Sequence, residues 1–221
     1  GLGGGVVPDA FMILSRIIAS FHNDKGELLI EGLTPTEQDV FELSDEFVKS
    51  SLSSNGVELF EMDSYSKRLW LEPALSILAI DAPPVAESVN LLIPKAKAKV
   101  SLRLPPTEDP DHAMNMLEKH IKENTPFNAN VNFIPEAKGK GILVDPKNEF
   151  SSKLIESFNK NWENEVAYMG VGGSIPFANV FINEFPNSEI VLVGAGDEEG
   201  NAHAPNAVSY THLTLPTKCW V

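Results

Sequence analysis

The sequence predicts an α+β module of ferredoxin-like type over residues 1–134, followed over residues 135–206 by part of an α/β unit. Three observations carry this prediction. The stretch "AKAKVSLRL" (Ala96 to Leu104) alternates without a break, with Ala96, Ala98, Val100, Leu102 and Leu104 on one face and Lys97, Lys99, Ser101 and Arg103 on the other. On either side of it lie helical stretches whose apolar residues recur at three- and four-residue spacing. After "PEAKGKG" the pattern changes to a helix, a short second helix and the unalternating run "EIVLVGAG", which suits a buried strand of an α/β sheet.

The elements follow in order. Pro8 to Phe21 reads as a helix with Pro8 in its first turn and Phe11, Leu14, Ile17, Ile18 and Phe21 on the buried face. "HNDKG" breaks it, and Leu28 to Ile30 is a short strand. Thr34, Pro35 and Glu37 have the spacing of a capping box, predicting an acidic helix to about Lys49, with a loop from Ser50 to Gly56. The stretch up to Pro73 carries no clear period. "ALSILAIDA" (Ala74 to Ala82) is a strand, joined to the alternating one by a Pro-rich connection. Asp109 caps and Pro110 starts a helix with Ala113, Leu117 and Ile121 inward, and Phe127, Ala129, Val131 and Phe133 alternate as a further strand. Asn148 to Trp162 and Pro176 to Glu184 are the helices of the second unit.

Composition narrows the function. With 17 Lys+Arg against 31 Asp+Glu, the chain of 221 residues carries a net charge of −14 spread along its length, which repels phosphate backbones and disfavours nucleic acid as a partner. Apolar runs such as Ile190 to Val193 are far shorter than the roughly 18 residues of a membrane span. A single cysteine, Cys219, offers neither a disulfide framework nor a CxxC site and fits a cytoplasmic protein.

Two loops have compositions suited to chemistry. "VGGSIPF" places Gly172, Gly173 and Ser174 immediately before a helix start, where free backbone N–H groups favour an anion; the alternative is a plain glycine turn feeding a helix. "GDEEGNAHAPN" sets His203 in a Gly- and carboxylate-rich loop. On its own such a histidine is more often solvated, and the run Asp197, Glu198, Glu199 reads as a solvated loop.

Taken in order, "GLGGGVVPDAFMILSRIIASFHNDKGELLIEG", "LLIPKAKAKVSLRLPPTEDP" and "VGGSIPF" with "GDEEGNAHAPN" resemble the M20 family of zinc metallopeptidases, nearest its dipeptidase branch, over residues 1–206. The resemblance implies a lid, or dimerisation domain, over residues 1–134, part of the catalytic α/β domain over 135–206, and hydrolysis of a peptide or N-acyl amide bond beside a free carboxylate. It implies two zinc ions per complete site with His203 as one ligand, and Arg103, Gly172, Gly173 and Ser174 around the substrate's carboxylate. It also implies a homodimer in which Asn90 reaches the partner's site. The family's earlier metal motifs and its general-base glutamate are not found in this chain, so the 221 residues expressed alone are expected to be inactive. Ala207 stands where the family has Glu, and "SYTHLTLPTK" resembles read-through sequence, so residues 207–221 are expected to be a foreign tail. The rival reading is a non-catalytic dimerisation module with the same lid fold. For Arg103, the exposed face of an alternating strand competes with a bidentate carboxylate clamp; His22, His112 and His120 read as structural.

Overall fold

A computed structural model describes residues 2–52, 56–143, 148–163, 165–171, 176–186 and 188–191. Helix α1 spans Ala10–Ala19, α2 Asp45–Leu52 and α3 Tyr65–Trp70; strand β1 spans Ala74–Asp81 and β2 Lys97–Arg103; helix α4 spans Pro110–Glu123, α5 Glu149–Asn161 and α6 Pro176–Glu184. The two strands pair antiparallel from Ala74↔Arg103 to Asp81↔Lys97, with a bulge at Leu78 where the register shifts between Ile77 and Ala79.

Helices α1 and α4 lie against one face of this hairpin. Ile17 and Phe21 from the first helix and its exit, Leu117 and Ile121 from α4, and Leu75 from β1 form one buried cluster with Ile30. Ile77, Val100 and Leu102 face it from the strands. Burying each such side chain is worth about 1.5–3 kcal/mol, so this cluster is the main source of stability in residues 10–133. Local signals start both helices where the core needs them. Asp109 accepts hydrogen bonds from the Asp111 and His112 amides ahead of Pro110, as the sequence predicts. For α1 the cap is Asp9, which accepts from the Met12 amide at 2.9 Å, so Pro8 precedes the helix instead of lying in its first turn.

The acidic helix predicted from Thr34 is absent; α2 begins only at Asp45, with the Ser44 hydroxyl accepting from the Phe47 amide, and continues to Leu52 through the start of the predicted loop. Long-range bonds compete with the local capping pattern and win. The Thr34 amide donates to Glu108 Oε2 at 3.4 Å, the Thr36 amide to the Leu71 carbonyl at 2.8 Å, and the Thr36 and Thr107 hydroxyls pair at 2.7 Å. With Thr36 buried, residues 34–36 are tied to the turn leading into α4 and to the end of α3, a helix in a stretch without clear sequence period.

Two predicted strands are not laddered. Leu28 makes an isolated bridge with His22, and Leu28 and Ile30 still pack at the core. Phe127 sits in a tight turn at φ 57°, followed by Asn128 at φ 51°, and only Phe133 of that stretch reaches the core. Among the described residues the sheet therefore has two strands where the sequence predicts four. Helices α5 and α6 match their predictions to within a residue at each end, yet Phe150, Trp162, Phe177, Val180 and Phe185 are exposed. Of the predicted "EIVLVGAG" strand only Glu189, Ile190 and Val191 are described, and they form no ladder.

His22, His112 and His120 serve the fold. Buried His120 stacks on Phe21 with ring centroids 5.4 Å apart, and its Nε2 lies 3.1 Å from the Ser20 carbonyl. His112 Nδ1 lies 2.8 Å from Glu108 Oε1. For His22, burial and then the positive charge of Arg68 lower the pKa below the ordinary 6.5. The unfolded chain then binds the proton more readily than the folded one, so stability falls as pH drops through 6.5 and the loss is complete below the folded pKa. Urea unfolding at about pH 7.5 and about pH 5 should show a smaller acid-side loss for His22→Gln than for the unmodified chain; equal losses would mean the proton is not excluded there.

Candidate functional site

Arg103 ends β2. Leu102 points into the core, so its neighbour projects from the opposite face of the sheet, where Lys97 and Lys99 are exposed. Those two lysines are matched by carboxylates: Lys97 Nζ lies 3.6 Å from Asp81 and Lys99 Nζ 2.5 Å from Glu136. Arg103 differs from both. It is partly buried, and its Nε is shut off from solvent with no hydrogen-bond partner.

The chain has three arginines, and the other two are engaged. Arg68 pairs with Glu72 at 2.9 Å and donates to the Gly26 carbonyl; Arg16 lies over the Phe127 ring, 5.7 Å from its centroid. Among the described residues the Arg103 side chain makes no hydrogen bond or ion pair, in a chain with 31 Asp and Glu residues. A buried unpaired donor costs about 1–3 kcal/mol, and this orphaned Nε sets Arg103 apart from the other two arginines. Its planar fork matches a carboxylate through two parallel hydrogen bonds.

The structure does not bring Asn90 to Arg103. Asn90 is exposed in the connection between the strands, beyond the Asp81↔Lys97 end, whereas Arg103 is at the Ala74 end. Six residue steps along β2 separate the two ends by about 20 Å. Gly172, Gly173, Ser174 and His203 lie outside the described residues. Among the described residues no group of three or more His, Cys, Asp or Glu side chains could hold a metal ion, so these residues do not supply a metal centre. No helix among them is long and apolar enough to cross a membrane.

A hairpin carrying two helices on one face and an unpaired arginine at its other face defines a lid-type module. The chain belongs to the M20 peptidase dimerisation-domain family, whose model, described as the peptidase dimerisation domain, matches residues 1–129. It is 28% identical over 210 residues to the cysteinylglycine-S-conjugate dipeptidase of Corynebacterium striatum, covering 90% of this chain and 45% of that protein. It is 25% identical to the Cys-Gly metallodipeptidase DUG1 of Saccharomyces cerevisiae, covering 93% of this chain and 46% of that protein. The solved structure of the yeast di-peptidase Dug1p shares the fold, with a TM-score of 0.72 at 23% identity over 94% of this chain and 46% of that one. The chain thus spans about half the length of the curated relatives it matches.

If Arg103 is an unpaired donor, Arg103→Met, which keeps the aliphatic stem and removes the orphan, should leave stability unchanged or raise it by about 1 kcal/mol in urea unfolding. A loss above about 1 kcal/mol would reveal a structural partner for the guanidinium.

Proposed function

We propose that this chain is the lid, residues 1–134, and part of the catalytic unit, residues 135–206, of a zinc-dependent dipeptidase that acts as a homodimer, with residues 207–221 foreign to it. The observation that carries the reading is Arg103: partly buried, without a partner among the described residues, and presented on the sheet face away from the core. The Arg103 guanidinium clamps the free carboxylate of a dipeptide, and the backbone N–H groups of Gly172 and Gly173 with the Ser174 hydroxyl take its remaining lone pairs. A carboxylate held by fixed donors distinguishes a dipeptide from its C-terminal amide, because the amide leaves those donors unpaired.

His203 is the metal ligand this chain contributes, and the remaining ligands lie on the part of the protein that the matched relatives have in addition. The names of two of those relatives, a dipeptidase and a metallodipeptidase, support both the substrate class and the metal. A catalytic zinc takes about three protein ligands, so the 221 residues by themselves neither hold two zinc ions nor hydrolyse a dipeptide. The exposed aromatic faces of α5 and α6 support the same division, since they lack cover among the described residues and suit packing against the rest of a catalytic domain.

Asn90 acts on the partner subunit's substrate. Its place in a connection that leaves the hairpin at the end opposite Arg103 supports this, as does the family's dimerisation role. The lid is of ferredoxin-like type, with β1 and β2 as its inner hairpin.

In the complete protein, Arg103→Lys should lower kcat/KM for a dipeptide roughly tenfold or more, because a point-charge ammonium loses the bidentate geometry. Hydrolysis should stop on chelation and return with zinc. Absence of metal-dependent dipeptide hydrolysis by the unmodified complete protein would refute the reading.

A further inference from the structure

One set of contacts joins residues 31–36 to the turn leading into α4. The Thr34 amide donates to Glu108 Oε2 and the Thr36 hydroxyl pairs with that of Thr107, while Leu33 packs at the edge of the core. A second set joins α3 to the turn at residues 22–28. The Arg68 guanidinium donates through Nη2 to the Gly26 carbonyl and pairs through Nη1 with Glu72 at 2.9 Å. Phe60 reaches the same glycine: a Cβ placed on Gly26 would lie 2.5 Å from its ring. Gly26 is buried and sits at φ 75°, so the turn and the approach of the ring both require glycine there.

His22 stands at this second set. It follows Phe21 of the core, bridges to Leu28 across the turn and is partly buried. Burial and then the positive charge of Arg68 disfavour its protonated form, and the repulsion persists although Arg68 is paired with Glu72. Within the turn Asp24 and Lys25 are exposed, and the Glu27 carboxylate accepts from the Asn23 side chain. An arginine keeps its charge at every pH at which the protein folds, so acid adds a second cation beside a fixed one.

We propose that His22, Arg68 and Gly26 form an acid-sensitive latch on residues 31–73: a proton on His22 places a second positive charge beside the Arg68 guanidinium, and α3 with Phe60 leaves the turn while Thr34 and Thr36 stay tied to the start of α4. The open form takes the proton at the ordinary histidine pKa of 6.5, whereas the closed form takes it only at lower pH. Above 6.5 both forms are neutral at His22 and the latch has its full strength; as pH falls through 6.5 the open form gains, and the gain ends below the pKa of the closed form. A closed form that took no proton at all would give a gain in opening of about thirtyfold between about pH 7.5 and about pH 5, which is the ceiling for one histidine. The inference stands apart from the dipeptidase reading, since none of these groups is assigned to substrate or metal.

The test is hydrogen exchange in the complete protein, read by mass spectrometry on peptides covering residues 22–30 and 64–72 and corrected for the intrinsic pH dependence of exchange. Between about pH 7.5 and about pH 5 both peptides should lose protection together, by about threefold to thirtyfold, while α1 and α4 lose less than about twofold. His22→Gln should remove the acid-side loss in both peptides. The His22 imidazole, followed by NMR, should titrate below 6.5 in the unmodified protein and move up toward 6.5 in Arg68→Gln, a readout that does not depend on replacing the histidine. Protection that changes by less than about twofold, a loss confined to the turn or shared equally with α1 and α4, or a loss that persists in His22→Gln overturns the proposal. So does a His22 that titrates at the same pH with and without Arg68.

Discussion

The contact of α1 and α4 with one face of the β1–β2 hairpin is the constraint from which the rest follows. Phe21 is 1% exposed and Leu117 4%, and both close over the same strip of Leu75, Ile77, Val100 and Leu102. Because side chains alternate along a strand, committing Leu102 to this core commits Arg103 to the other face. A slip of one residue in β2 would exchange them, placing a guanidinium in the apolar cluster and a leucine on the opposite face. The register is held against such a slip by seven pairings from Ala74↔Arg103 to Asp81↔Lys97 and by the apolar cluster that an inward arginine would enter. The cluster that stabilises the lid thus also sets the face from which Arg103 projects.

Residues 31–73 are organised differently. They contribute Leu33 to the fringe of the main cluster, bury Val48 and Leu71, and add polar ties: Thr36 to Thr107 and Leu71, Leu43 to Ser66, Arg68 to Gly26. Each such bond is worth about 1 kcal/mol net. Together they fasten α3 within the lid, where Trp70 lies against Gly170 and the Phe41 amide donates to the Tyr168 carbonyl.

What could be read from the sequence was what local chemistry decides. Asp109–Pro110 marks the start of α4 because cap and first-turn proline act within one turn, and β2 was legible because its alternation is complete. The capping pattern at Thr34 failed because its competitors, Glu108, Thr107 and Leu71, are distant in sequence. Phe127 was misplaced in a strand because alternation is blind to a turn that holds a phenylalanine at positive φ. Trp70 lay in a stretch without period, and a single glycine a hundred residues later gave no local sign that the two meet. The type and face of Arg103 were evident from the strand pattern. Its isolation was not, since whether an arginine has a carboxylate partner depends on where distant acidic side chains come to rest.

The central claim is that Arg103 is held ready for a carboxylate. With three arginines in the chain, the guanidinium Nε–H resonances can be assigned by single substitutions and followed by NMR in the complete, metal-loaded protein. On titration with a slowly hydrolysed dipeptide the Arg103 resonance should shift, those of Arg16 and Arg68 should stay in place, and the matching C-terminal amide should move none of the three. A dipeptide that leaves Arg103 unmoved, or an amide that shifts it equally, would contradict the account.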